Sequence, residues 1–95
     1  YKDEIYPVLG LSEEVGEVSK IFAKAARGDG KYQIDGYLTD YAIKTLEKEL
    51  GDVLWMVAAI AYDNGIHMSD IAKTNITKLA ERAKTNNIQG DGDNR

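Results

Sequence analysis

The sequence predicts an all-α fold. Apolar residues recur at spacings of three and four over three long segments. Glycine clusters fall between those segments, and no stretch shows the strict alternation of a half-buried strand. The chain has 95 residues, which is the size of one small domain, and residues 1–95 are read as a single unit. It is 43% hydrophobic and 29% charged, the balance of a soluble globular protein and not of a collagen, a mucin-like stalk or a disordered tail. A chain this short removes only about 60–65% of its unfolded surface from water by folding alone. Helix pairing between copies is the expected remedy.

The first helix is expected from about Asp3 to Arg27. Leu11, Val15, Val18, Phe22 and Ala26 form its apolar stripe, with Ile21 and Ala25 beside it. Pro7 stands near the start, where a missing N–H costs little. Gly10 and Gly16 each weaken the helix by about 1 kcal/mol, so tertiary packing has to compensate. Gly28-Asp29-Gly30 ends the segment. The second helix is expected from about Thr39 to Asn64, with Ile43, Leu46, Leu50, Val53, Leu54 and Val57 as its stripe. From Trp55 to Ala61 it is apolar on every side, the pattern of a helix buried all round. Three helices cannot enclose it, so a second subunit is inferred. Gly65 breaks the chain again. The third helix is expected from about Ser69 to Thr85, with Ser69 as N-cap and Asp70 in the first turn. Ile71, Ala72, Ile76, Leu79, Ala80 and Ala83 are expected to face inward. Residues Asn86 to Arg95 read as a loop or lid.

Charge and composition narrow the function classes. Sixteen acids against twelve bases give a net charge of −4, which argues against a nucleic-acid binder that must neutralise phosphates. There is no cysteine, hence no disulfide framework, thiolate metal site or cysteine nucleophile. The longest apolar run, Val53 to Tyr62, is too short to span a bilayer, and no membrane partner is expected. No signal peptide is visible. The default location is the cytoplasm.

Two acidic constellations stand out. In Glu13-Glu14-Val15-Gly16-Glu17, Glu14 lies about 60–70° from the centre of the apolar stripe and Glu17 lies further round on the same side, while Glu13 points away. Glu14 and Glu17 are therefore neighbours at the margin of a buried face. In Glu49-Leu50-Gly51-Asp52, Glu49 and Asp52 share a side by the same spacing and introduce the all-apolar stretch. Burying unpaired carboxylates costs several kcal/mol. Lys44 and Lys48 fall elsewhere on the wheel, so a metal is the more economical partner. The bland reading is two solvated helix faces, since glutamate is a common helix former. Four carboxylates match two divalent cations, and an all-oxygen set favours Mg²⁺, or Mn²⁺ in its place, over Zn²⁺ or Cu²⁺. A di-iron bundle uses Glu-x-x-His pairs, and the single histidine, His67, is not three residues after an acid.

A third constellation supplies the complement. Asn75, Lys78 and Arg82 form one polar stripe on the third helix. Arg and Lys suit phosphate, and Asn could bond a ribose hydroxyl or a phosphate oxygen; otherwise the stripe is a solvated basic edge. Lys20, Lys24 and Arg27 make a second basic row, which also reads as favourable charge at a helix C-terminus. Other signals fail. There is no P-loop. Asn75-Ile76-Thr77 matches a glycosylation acceptor but sits within a helix. Asp91-Gly92-Asp93-Asn94 is too close to the end for a calcium loop. His67 reads as structural. Trp55 and Met56 read as core, with flanking of a base as the alternative.

With these residues in place, the chain resembles the MazG-like nucleoside triphosphate pyrophosphohydrolases. The family pattern, EExxE, a spacer, then ExxD, is matched by Glu13-Glu14-x-x-Glu17 and Glu49-x-x-Asp52. Gly10-Leu11, the run from Lys48 to Trp55, Asn75-x-x-Lys78-Leu79-x-x-Arg82 and the ending Gly90 to Arg95 look similar as well. Thirty-one residues separate Glu17 from Glu49, toward the long end for the family, which implies a longer interhelical loop. The helix that usually precedes the first motif is expected to be missing or mostly missing.

The resemblance implies an all-α subunit assembling into a four-helix-bundle-type dimer or tetramer. It implies Mg²⁺-dependent cleavage of an NTP or dNTP to the monophosphate and pyrophosphate by metal-activated water, in the service of nucleotide-pool housekeeping. Carried over, the metal-binding and catalytic acids are Glu14, Glu17, Glu49 and Asp52, with Glu13, which the wheel points outward, as a candidate either for supporting those ligands from behind or for acting as base. Asn75, Lys78 and Arg82 match positions near the phosphates of the nucleotide substrate. The alternative is a non-catalytic helical module, a regulatory or antitoxin-like dimer.

Overall fold

The computed structural model describes residues 5–89. Helix α1 (Ile5–Ala26) leads through two short strands, β1 (Gln33–Ile34) and β2 (Tyr37–Leu38), into α2 (Asp40–Asp63), and α3 (Met68–Gln89) follows. The three expected helices are present. The expectations for residues 1–4, including the start of the first helix at Asp3, and for the ending 90–95 lie outside the described residues.

Both turns are closed by local hydrogen bonds that the sequence makes available. At the end of α1, the Gly28 N–H donates to Ala25 O (3.0 Å) and the Asp29 N–H to Lys24 O (3.2 Å). This paired pattern satisfies carbonyls that a helix end leaves open. At the end of α2 the same pattern runs from Gly65 to Tyr62 O and from Ile66 to Ala61 O, with Gly65 at φ +68°, a backbone that side chains with a β-carbon disfavour. Between α1 and α2, Asp35 and Gly36 take φ +53° and +85°, the two positive values a two-residue hairpin requires. Gln33 pairs with Leu38 and Ile34 with Tyr37. Gln33 Oε1 accepts from the Gly36 N–H at 2.8 Å. Thr39 then caps α2: its hydroxyl accepts from the Ala42 N–H at 3.1 Å and donates to Lys31 O at 2.6 Å.

This hairpin was not expected. Strands of two residues are too short to show a period-2 pattern, and they are held by turn geometry and by packing rather than by alternation. Tyr32 is buried with Ile21 and Ala42, and Ala25, Leu38 and Leu46 pack around them. The hairpin thereby plugs the closed end of an antiparallel α1–α2 pair.

The α1–α2 seam differs from the apolar stripe of the sequence. On α1 the buried residues are Pro7, Gly10 and Ile21, at heptad-related positions, and Glu14 belongs to that row. Val15 and Phe22, from the expected stripe, stay about half exposed. On α2 the row facing α1 is Ala42, Leu46, Glu49, Val53, Met56 and Ile60, all buried or half-buried. Gly10 and Met56 meet so closely that a β-carbon on Gly10 would lie 2.7 Å from Met56 Cε.

The third helix departs from expectation in three ways. It begins at Met68, so Ser69 lies inside the first turn and the His67 carbonyl accepts from Asp70 and Ile71. It continues to Gln89, so residues Asn86 to Gln89 are helical, not loop or lid. Its apolar residues Ile71, Ala72, Ile76, Leu79, Ala80 and Ala83 are exposed, because among the described residues no element packs against them. Contacts from α3 to the α1–α2 pair are sparse. The radius of gyration is 17.3 Å, against about 12 Å for a compact chain of this length. The molecule is a thin plate of 44 × 41 × 18 Å.

Candidate active site

The acidic motifs meet across the α1–α2 seam. Carboxylate oxygens of Glu14, Glu49 and Asp52 lie within 4.8 Å of one another. Glu14 and Glu49 occupy seam positions that apolar residues fill elsewhere along the same rows, and both are half-buried; Asp52, three residues beyond Glu49, is exposed. The cluster therefore has a half-dry floor and opens to water on the Asp52 side.

The electrostatics carry the signature of that arrangement. The Glu14 carboxyl is held above its ordinary range, first by partial burial and then by the negative charges of Asp52, Glu49 and Glu13. A hydrogen bond to Glu49 further favours the protonated form. Desolvation and like charge both disfavour the carboxylate. No basic side chain is bonded to these three acids among the described residues. A cation in their midst would remove the repulsion, and a set of carboxylate oxygens suits a hard divalent ion such as Mg²⁺. The three residues present fit the metal that the sequence pattern implies.

Glu17 stands apart from the cluster. Its carboxylate accepts from Lys20 Nζ at 3.2 Å along the outside of α1. It is half-buried and sits one turn past Glu14, on the same side of the helix as that residue. Glu13, one residue before Glu14, is exposed, as the wheel indicates. Lys24 of the basic row is also engaged: it donates to the Tyr32 hydroxyl at 3.4 Å and stands 5.0 Å from its ring centre.

The phosphate-binding candidates occupy α3. Asn75 and Lys78 line a groove of about 350 Å³ with Ile66, Asp70, Ile71 and Thr74, and Arg82 follows one turn later, half-buried. These residues share one helix side as expected. Within a single chain they stand on the splayed helix and not on the seam that holds the acids.

Sequence reasoning missed the role of Gly10. It reads as a cost to α1, yet its bare backbone admits Met56 into the seam one turn from Glu14. A glycine inside an otherwise helical pattern is the only signal that could have found it. Within the chain Trp55 is exposed and Met56 is half-buried. Among the described residues no helix is long and apolar enough to cross a membrane.

The sequence matches the family model of the MazG nucleotide pyrophosphohydrolase domain over residues 6–86. It is 37% identical over 90 residues to the Gene 37 protein of Mycobacterium phage L5, covering 95% of this chain and 75% of that protein, whose name states no activity. No solved structure matches.

Proposed function

The chain belongs to the MazG nucleotide pyrophosphohydrolase family, and we propose that it hydrolyses nucleoside or deoxynucleoside triphosphates to the monophosphate and pyrophosphate. The observation that carries this reading is the convergence of Glu14, Glu49 and Asp52 from two helices into one open-sided cluster of negative charge. Burying such charge without a partner is costly, and a divalent cation with its phosphate-bearing substrate removes that cost.

In this reading Glu14, Glu49 and Asp52 bind Mg²⁺, and Glu17 joins them by leaving Lys20. Mn²⁺ serves as a substitute. When bound, the metal neutralises phosphate charge and lowers the pKa of a water. Water adds at the α-phosphorus, the bond to the α–β bridging oxygen breaks, and pyrophosphate leaves. The protein contributes position and fixed charge and no covalent intermediate. Glu13 lies on the exposed side of α1, where it either supports the metal-binding acids from behind or takes the proton of the attacking water. Lys78 and Arg82 hold phosphate oxygens by charge-assisted hydrogen bonds, and Asn75 bonds a phosphate or ribose oxygen.

A second copy of the chain completes the assembly. Ile43, Leu50 and Leu54 of α2, with Val15 and Phe22 of α1, are left about half exposed or more at helical spacing. Two such α1–α2 pairs would close a four-helix bundle over these rows, as a homodimer or as half of a homotetramer. The splayed α3 would then have a neighbouring copy to cover its apolar side. A cytoplasmic role in removing surplus or aberrant nucleotides fits this chemistry.

Product analysis tests the reading. The protein with Mg²⁺ and each common NTP and dNTP should yield monophosphate and pyrophosphate, and EDTA should stop the reaction. Diphosphate with orthophosphate would place the cut at the β–γ bond and overturn the mechanism. A folded dimer with no turnover of any triphosphate would favour the non-catalytic module.

A further inference from the structure

The chain has one tryptophan, and it is in an unusual place. Trp55 is 62% exposed, although it lies in the most apolar stretch of α2. Its position relative to the acids is fixed by helix geometry. From Glu49 to Asp52 to Trp55, each step of three residues turns about 60° in one sense and climbs about 4.5 Å. Glu49 is half-buried, Asp52 is exposed, and Trp55 is the next side chain beyond that open rim.

The two apolar rows of α2 do not account for Trp55. The row against α1 passes through Val53 and Met56. The unpartnered row passes through Ile43, Leu50 and Leu54, and Trp55 is turned about 100° from Leu54. A bundle closed over those rows leaves the indole outside. Along its own face stand Lys48 seven residues before, Ala59 four residues after and Tyr62 seven residues after. Tyr62 is 84% exposed. Ala59 separates these two exposed aromatic side chains, and Trp55 is the one next to the acid cluster.

We propose that Trp55 is the stacking platform for the nucleobase of the triphosphate, a substrate-binding residue beside the metal-binding acids. This rests on the pyrophosphohydrolase reading. A planar heteroaromatic ring is the part of such a substrate that gains from an exposed indole, and stacking accepts any base because every base has a π face. Residues three apart on a helix have β-carbons about 5–6 Å apart. That offset, extended by the indole, corresponds to the ribose that separates base from phosphates.

The single tryptophan is its own reporter. The protein is titrated with α,β-methylene analogues of purine and pyrimidine triphosphates, and in parallel with inorganic tripolyphosphate, which has no base. Saturable quenching of indole emission by an analogue, with no quenching by tripolyphosphate, is expected. In turnover assays Trp55→Leu should raise the nucleotide KM about tenfold with kcat within about twofold, and Trp55→Phe should stay within about threefold of wild type. The tripolyphosphate inhibition constant and the sedimenting mass should not change in either variant. An unchanged nucleotide KM in Trp55→Leu, an equal loss of tripolyphosphate affinity, or a change of mass would each overturn the proposal. Wild-type protein that releases no pyrophosphate from any triphosphate would remove the pyrophosphohydrolase reading and this proposal with it. Turnover with an unchanged KM in Trp55→Leu removes this proposal alone.

Discussion

Leu54→Asp is the most direct probe of the proposed assembly. Leu54 is 60% exposed in the single chain. Full burial of a leucine side chain contributes about 1.5–3 kcal/mol, so covering the remaining three-fifths contributes about 1–2 kcal/mol per copy. Two-fold symmetry presents the residue twice, giving about 2–4 kcal/mol per dimer from this position. Aspartate forfeits that gain and places a carboxylate in an apolar contact, which adds further cost. Self-association should weaken by about a thousandfold or more, the equivalent of about 4 kcal/mol. If Leu54 simply faced water, the substitution would stay within about 0.5 kcal/mol of neutral. Sedimentation velocity over a range of concentrations, with helical circular dichroism as a check on folding, reads the difference. The reasoning fails if wild-type protein sediments as a 10.5 kDa monomer at every concentration, or if Leu54→Asp keeps the wild-type mass.

Mg²⁺ at about a hundred times its dissociation constant should stabilise the wild-type protein by about 2.7 kcal/mol, roughly 10–20 °C for a domain of this size. Asp52→Asn and Glu49→Gln should lose that rise and all turnover; a melting curve against matched KCl checks it, and a rise retained in both variants would reject the cluster as the metal site. For Glu14 the folded pKa lies above the unfolded one. The folded chain therefore binds more protons between the two values, and metal-free stability falls as pH rises through that interval. Glu14→Gln should raise the metal-free melting temperature at neutral pH and leave it unchanged in acid below both values; equal melting temperatures at neutral pH would contradict the strain assigned to the cluster. Ile21→Ala, at a residue 3% exposed beside Tyr32 and Ala42, should cost about 2–4 kcal/mol by leaving a cavity under the hairpin, measured by urea unfolding; a cost below 1 kcal/mol would mean that the hairpin does not plug the pair.

The three helices were legible because their signals are local. Spacings of three and four mark α1, α2 and α3, Thr39 marks the start of α2, and Gly28 and Gly65 mark the turns. The three clustered acids, Glu14, Glu49 and Asp52, stood out as candidates for the same reason, since EExxE and ExxD put chemically matched residues at one helical spacing. Lys20 was seen as part of a basic row, but its bond to Glu17 was not, because side-chain pairing on an exposed face depends on rotamers and not on spacing alone. The β-hairpin escaped because two-residue strands have no period to read.

What the sequence determined by itself is each helix and its faces, together with the identity of the carboxylates. What only the tertiary structure decided is which face meets which neighbour. The stripe of Leu11, Val15, Val18 and Phe22 is the more hydrophobic side of α1, yet α2 packs on Pro7, Gly10, Glu14 and Ile21. Periodicity defines a face relative to the helix's own axis, and any neighbour can in principle dock on any face. The choice is made by close approach at Gly10 and Met56 and by the Tyr32 plug. That choice brings Glu14 into the seam against Glu49 and Asp52, and it leaves Val15 and Phe22 of α1, Ile43, Leu50 and Leu54 of α2, and nearly all of the described side chains of α3 turned outward.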